Sequence, residues 1–136
     1  MMVYKKYKVK DVPTDLYKKL DSLNLRENGS MRDTLRTERK YSLDNEYVFI
    51  ALDDDIVIGW ALILENLFFE YALQIYTRKL YRRRGIGLKL IEQIIKFLIA
   101  NKKNQLFTDA ILSQSPFLIN VKSILKLKGI SLKERG

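Results

Sequence analysis

A chain of 136 residues, 47% hydrophobic and 30% charged, is long enough to bury a core without covalent staples and is expected to form one domain. It contains no cysteine and no histidine, which excludes disulfides, thiolate nucleophiles, Ser-His or Cys-His catalysis and the commonest zinc ligands; no metal site is expected. Any proton transfer must then use a carboxylate, a tyrosine, a lysine, a terminus or water.

The net charge of +9 is unevenly placed. Residues 1–77 carry 11 Lys/Arg against 13 Asp/Glu, whereas residues 78–136 carry 14 against 3. An acidic or phosphorylated partner therefore belongs to the second half, and a small cofactor or a nucleic acid would satisfy it equally. No apolar run approaches the roughly 18 residues that span a bilayer. The start, Met1-Met2-Val3-Tyr4-Lys5-Lys6, is basic with no apolar stretch behind it. Neither membrane span nor signal peptide is expected, and a cytoplasmic location is.

Val3–Val9 alternates as an edge strand with its lysines outward. Pro13-Thr14-Asp15 reads as a helix start, with Leu16, Leu20 and Leu23 at helical spacing. After the Asn28-Gly29-Ser30 turn, Ser30 is a candidate cap for a polar helix through Lys40. Tyr47–Leu52 and Ile56–Leu64 are β-rich runs around Asp53-Asp54-Asp55, the pattern of a hairpin with a solvated turn rather than a metal site. Ala72–Thr77 is a further strand, following a connection with Phe68 and Phe69. From Gly85 to Asn101 the period becomes helical, with Ile91, Ile94, Ile95 and Leu98 on one stripe. Leu106–Leu112 reads as a strand ending near Pro116, Asn120–Lys128 as a short helix stopped by Gly129, and Ile130–Leu132 as a last strand. A hairpin run followed by β-α-β predicts a mixed sheet with helices on its faces.

The segment that carries chemistry is Tyr76-Thr77-Arg78-Lys79-Leu80-Tyr81-Arg82-Arg83-Arg84-Gly85-Ile86-Gly87-Leu88. A strand enters a basic turn, two glycines follow at i and i+2, and a long apolar helix begins. The first N–H groups of a helix lack internal partners and sit at the positive end of its dipole; with adjacent arginines they suit a pyrophosphate. A Walker loop would need Gly-x-x-x-x-Gly-Lys-Ser/Thr, and a dinucleotide fingerprint a third glycine. The plainer alternative is a tight strand-to-helix entry with solvated arginines.

Arg82-Arg83-Arg84-Gly85-Ile86-Gly87 resembles the Gln/Arg-x-x-Gly-x-Gly/Ala signature of the GNAT N-acetyltransferases, and Tyr76-Thr77 with Tyr81 looks like the strand and turn that lead into it. The likeness is specific over residues 72–100 and is one of layout elsewhere. It implies an α/β (α+β) fold: a mixed, mostly antiparallel sheet splayed in its middle, with helices on both faces. It also implies acetyl-coenzyme A as cofactor and an amine-bearing acceptor, a small molecule or a protein. By that resemblance Arg82, Arg83, Arg84, Gly85, Ile86, Gly87 and Leu88 hold the coenzyme A pyrophosphate, Ile75, Tyr76 and Thr77 pair with the pantetheine arm, and Asn120 touches the cofactor. One departure stands out: relatives often carry a tyrosine four residues before the last helix's glycine, to protonate the departing thiolate, and Leu125 occupies that place here.

Without cysteine or histidine, direct attack of an amine on the thioester is favoured. An amine of pKa near 10.4 is neutral only about once in 10³ at pH 7, a cost of roughly 4–5 kcal/mol, so a base or water relay is needed. Glu65 and Glu70, flanking the third and fourth strands, are candidate proton carriers if they are not merely strand-end charges; Tyr76 is the alternative. Two rival readings stay open. One is an inactive binding or regulatory module, favoured by Leu125. The other is a nucleic-acid-associated protein using Lys89, Lys96, Lys102, Lys103, Lys122, Lys126, Lys128 and Lys133, which are otherwise solvated helix-face lysines. Trp60 and the Phe68-Phe69 pair are candidates for a homodimer contact.

Overall fold

The computed structural model describes residues 1–16, 18–20, 46–65, 70–109 and 116–135. Six strands form one sheet in sequential order: β1 (Met2–Lys8), β2 (Tyr47–Asp53), β3 (Ile56–Glu65), β4 (Tyr71–Thr77), β5 (Gln105–Asp109) and β6 (Ser131–Arg135). β1 to β4 pair antiparallel, while β4–β5 and β5–β6 are parallel. Each parallel connection carries a helix, α1 (Ile86–Ala100) and α2 (Pro116–Leu127), as such crossovers require. This is the mixed, mostly antiparallel sheet expected from the sequence.

β2 and β3 are buried over Val48–Leu52 and Val57–Ile63 without alternation, because both sheet faces are covered. On one face Phe49, Ala61, Ile63 and Leu73 pack against Leu90, Ile91, Ile94 and Leu98 of α1 and Val121 and Leu125 of α2. On the other, Val48, Ile50, Trp60 and Leu62 pack against Leu16 and Leu20, which belong to helical residues 14–16 and 18–20. α1 ends at Asn101, whose side-chain amide donates to the Phe97 carbonyl at 2.8 Å. α2 ends at Gly129, where φ is +78° and the Ile130 N–H reaches back to the Leu125 carbonyl.

Two expectations are corrected. α2 begins at Pro116, not at Asn120; proline was read as a strand stop, yet it also suits the first helical position, where its missing N–H has no partner to lose. Trp60 is fully buried beneath the helical residues after Pro13, so it is no interface residue. Leu23, the helix expected over Ser30–Lys40, Phe68, Phe69 and the end of the strand expected to reach Leu112 lie outside the described residues.

Candidate functional site: a helix start at the mouth of a splayed sheet

The turn after β4 is built to expose main-chain N–H groups. Arg83 (φ +67°) and Gly85 (φ +78°, ψ 8°) both take left-handed backbone, with Arg84 between them outside that region. Such alternation turns successive N–H groups toward one side. At Gly85 an added Cβ would meet nothing within 4 Å, so glycine is required there for its conformation and not for space. The Lys89 N–H bonds the Gly85 carbonyl at 3.0 Å, the first bond of α1. The N–H groups of Ile86, Gly87 and Leu88 have no main-chain acceptor among the described residues. No acidic side chain sits in this first turn. Ile86 is buried and contributes only its main chain, while Leu88 is exposed.

The arginines line the rim, all three exposed. Arg82 Nε donates to the Thr77 carbonyl at 2.9 Å, and its guanidinium lies 5.6 Å from the centroid of the Tyr76 ring. Arg84 stacks over Tyr81 at 5.2 Å. Aromatic rings thus hold two guanidinium groups beside the open amides.

Below the turn the sheet parts. Among the described residues β4 and β5 share one register pair, Ala72 with Phe107. The Arg78 N–H bonds the Ile58 carbonyl at 2.8 Å. Antiparallel alternation then turns the main-chain groups of Tyr76, Gln74 and Ala72 toward β3, and those of Thr77, Ile75 and Leu73 toward β5. Past Ala72, Ile75 therefore offers its main-chain donor and acceptor to an opening and Thr77 its N–H, the Thr77 carbonyl already accepting from Arg82 Nε. Tyr76, expected beside them, spends its main chain on β3 and points its ring to the opposite face from α1. Because β4 and β5 are parallel and each is followed by a helix, α1 and α2 both begin at the wide end of this opening, the usual ligand crevice of parallel strands.

Gly87 has a packing role besides its open amide. A Cβ there would lie 2.8 Å from Phe117 Cζ, at the start of α2. Gly87 lets the two helix N-termini approach, and this packing role is one the spacing of the motif did not reveal. Asn120, expected just before the last helix, lies inside α2 and is exposed. Leu125 is wholly buried in the core, so nothing at that place can donate a proton.

The sequence candidates for proton transfer are not brought together. Glu65 faces the α1 side opposite Tyr71, at the far end of β4 from the turn; six residues at about 3.3 Å each put Tyr71 roughly 20 Å from Thr77. Glu65 Oε2 is buried without a hydrogen bond, and its main-chain N–H donates to Glu46 Oε2 at 3.1 Å. Burial, with the Glu65 carboxylate, Tyr47 and the Glu46 carboxylate in support, pushes the Tyr71 hydroxyl up to about 12. Glu70 adjoins the same end. Tyr76 alone belongs to the end near the turn, and its hydroxyl is buried without a partner.

A sheet of this order, splayed between two parallel strands and with a helix N-terminus open at the splay, is the frame of an acetyltransferase. The chain belongs to the acetyltransferase (GNAT) family, whose model matches residues 15–114. No curated protein matches it in sequence. Solved structures share the fold. A GNAT-family acetyltransferase from Staphylococcus aureus Mu50 aligns with a TM-score of 0.70 and 16% identity over 90% of this chain and 84% of that one. The aminoglycoside N-acetyltransferase AAC(6')-Iy, in complex with a bisubstrate analogue of coenzyme A and acetylneamine, aligns with a TM-score of 0.66 and 16% identity over 100% and 95%. A predicted acetyltransferase from Clostridium acetobutylicum with acetyl-CoA aligns at 0.63 and 18% over 91% and 88%.

Proposed function

We propose that this chain transfers an acetyl group from acetyl-coenzyme A to an amine. The observation that carries the reading is the row of unpartnered N–H groups at Ile86, Gly87 and Leu88, flanked by guanidinium groups and placed where β4 and β5 part. The chemistry of this donor set fits a diphosphate. In this reading the amides of residues 85–88 and the rim arginines Arg82, Arg83 and Arg84 hold the pyrophosphate. The open main-chain groups of Ile75 and the N–H of Thr77 then align the pantetheine arm along β4.

Bound acetyl-coenzyme A supplies an activated thioester. The amine nitrogen attacks its carbonyl carbon, a C–N bond forms, the C–S bond breaks, and the proton lost by the amine ends on the departing sulfur. With no cysteine or histidine in the chain, transfer is direct. We retain all three proton carriers expected from the sequence: Tyr76 stands near the turn, and Glu65 and Glu70 stand at the end of β4 toward which a pantetheine arm laid from Thr77 past Ile75 runs. Solvent takes the role that Leu125 cannot.

The test is thiol release from acetyl-coenzyme A against a panel of amines, with products identified by mass spectrometry. Acetylated amine in stoichiometry with free thiol is expected. Tight binding of coenzyme A with no turnover on any amine would make the chain a binding module. Binding of RNA that falls steeply with salt and is indifferent to coenzyme A would instead favour a nucleic-acid role.

A further inference from the structure

We infer that Arg82 is a latch across the mouth of the opening, and that it makes the site selective for thioesters carried on a diphosphate over thioesters carried on bare pantetheine. The inference rests on the reading of the chain as a coenzyme A-dependent acetyltransferase and names the residue that chooses the acyl carrier at that site.

The Thr77 carbonyl points from β4 toward β5, at the end where the two strands share no register pair among the described residues. Arg82 Nε takes the vacant place. It donates to that carbonyl at 2.9 Å, where the N–H of a neighbouring strand would stand. The guanidinium continues to the far face of β4. There it lies 5.6 Å from the centroid of the Tyr76 ring, which packs with the Trp60 cluster away from α1. The side chain therefore crosses the edge of β4 at the wide end of the opening. Arg84, by contrast, rests on Tyr81 within the turn. Arg82 is exposed, so its two fastenings are weak enough to be exchanged for better ones.

A pantetheine arm laid along β4 from the turn meets this side chain first. To put an amide N–H on the Thr77 carbonyl it must displace Nε and lift the guanidinium from the ring. Bare pantetheine is uncharged and offers the displaced cation nothing in return. Coenzyme A brings a diphosphate to the N–H groups of Ile86, Gly87 and Leu88, beside the turn from which Arg82 springs. A guanidinium pairs with a phosphate more strongly than with a neutral carbonyl. The diphosphate thus draws the latch open, whereas bare pantetheine has to force it. One side chain then couples the two ends of the cofactor, which no arginine confined to the pyrophosphate would do.

The full chain is titrated calorimetrically with coenzyme A and separately with pantetheine, as wild type and as Arg82→Ala. The substitution is expected to weaken coenzyme A about tenfold, through loss of a charged hydrogen-bonding partner. It is expected to tighten pantetheine at least about threefold, through release of the strand edge. Thermal melting checks that both proteins fold; Arg82→Met, which keeps much of the length without donor or charge, gives the same readings if the alanine variant does not. An arginine that only pairs with the diphosphate would weaken coenzyme A and leave pantetheine unchanged, and a merely structural one would weaken both together. Either result would overturn the inference, as would pantetheine that binds neither protein while coenzyme A binds wild type. Wild type that binds neither ligand would overturn the coenzyme A reading itself.

Discussion

Replacing Leu88 by glutamate tests the anion site without disturbing the fold. Leu88 is 42% exposed and is the third residue of α1, so little packing is lost. A carboxylate at this place reaches back to the N–H of the residue capping the helix, here Gly85, and complements the helix dipole by about 0.3–1 kcal/mol. For a chain of this size that is a rise in Tm of roughly 1–5 °C. The same carboxylate repels a diphosphate. At about 5 Å each phosphate charge is opposed by roughly 0.8 kcal/mol in water-like dielectric and roughly 3.3 at an effective dielectric of 20. Two such charges weaken binding by at least about 1.7 kcal/mol, or some 20-fold. Isothermal titration with coenzyme A reads the affinity and calorimetric melting the stability, with Leu88→Gln as the neutral control of equal length. Unchanged affinity in Leu88→Glu, at an undiminished Tm, would refute the placement of the diphosphate. Gly87→Glu is the poorer probe, since any side chain there meets the Phe117 ring.

Gly85→Ala forces a Cβ into left-handed backbone with no steric contact nearby, so thermal melting should show a loss of about 1–2 kcal/mol that no neighbouring substitution relieves. Gly87→Ala combines a gain in helix propensity of about 0.5–1 kcal/mol with overpacking against Phe117 of about 1–3. It should lower Tm in the native background and raise it beside Phe117→Leu; additive effects of the two changes would show that the ring is not in contact. Ultraviolet titration of wild type against Tyr71→Phe should isolate one phenol with a midpoint of about 12. Because the folded pKa lies above the unfolded value near 10, Tyr71 contributes stability below pH 10 that fades as the pH climbs to about 12. A midpoint near 10 in the difference titration would remove the buried environment assigned to it.

Local pattern alone reached most of the architecture. The β-rich runs at Tyr47–Leu52 and Ile56–Leu64 around three aspartates read as a hairpin, and the Ile91, Ile94, Ile95 and Leu98 stripe as a helix, as the structure has them. Two glycines behind three arginines at a strand-to-helix step marked the open amides, because free amides at a helix start are a local property of the chain. What escaped such reading depends on residues distant in sequence. Pro116 was ambiguous between stopping a strand and opening a helix until α2 had a partner to pack on. The packing role of Gly87 was missed because Phe117, thirty residues on, is what touches it. The unpaired polar atoms of Trp60, Gln74 and Tyr76 were invisible because these residues meet only through the β3–β4 register. The sequence by itself determined most of the described elements and the strand-to-helix step with its open amides, since both follow from short-range periodicity and backbone chemistry. Only the tertiary structure decided where the sheet opens, which face carries unpaired polar atoms and at which end of β4 the carboxylates stand, because those depend on strand register and on the crossing of helices.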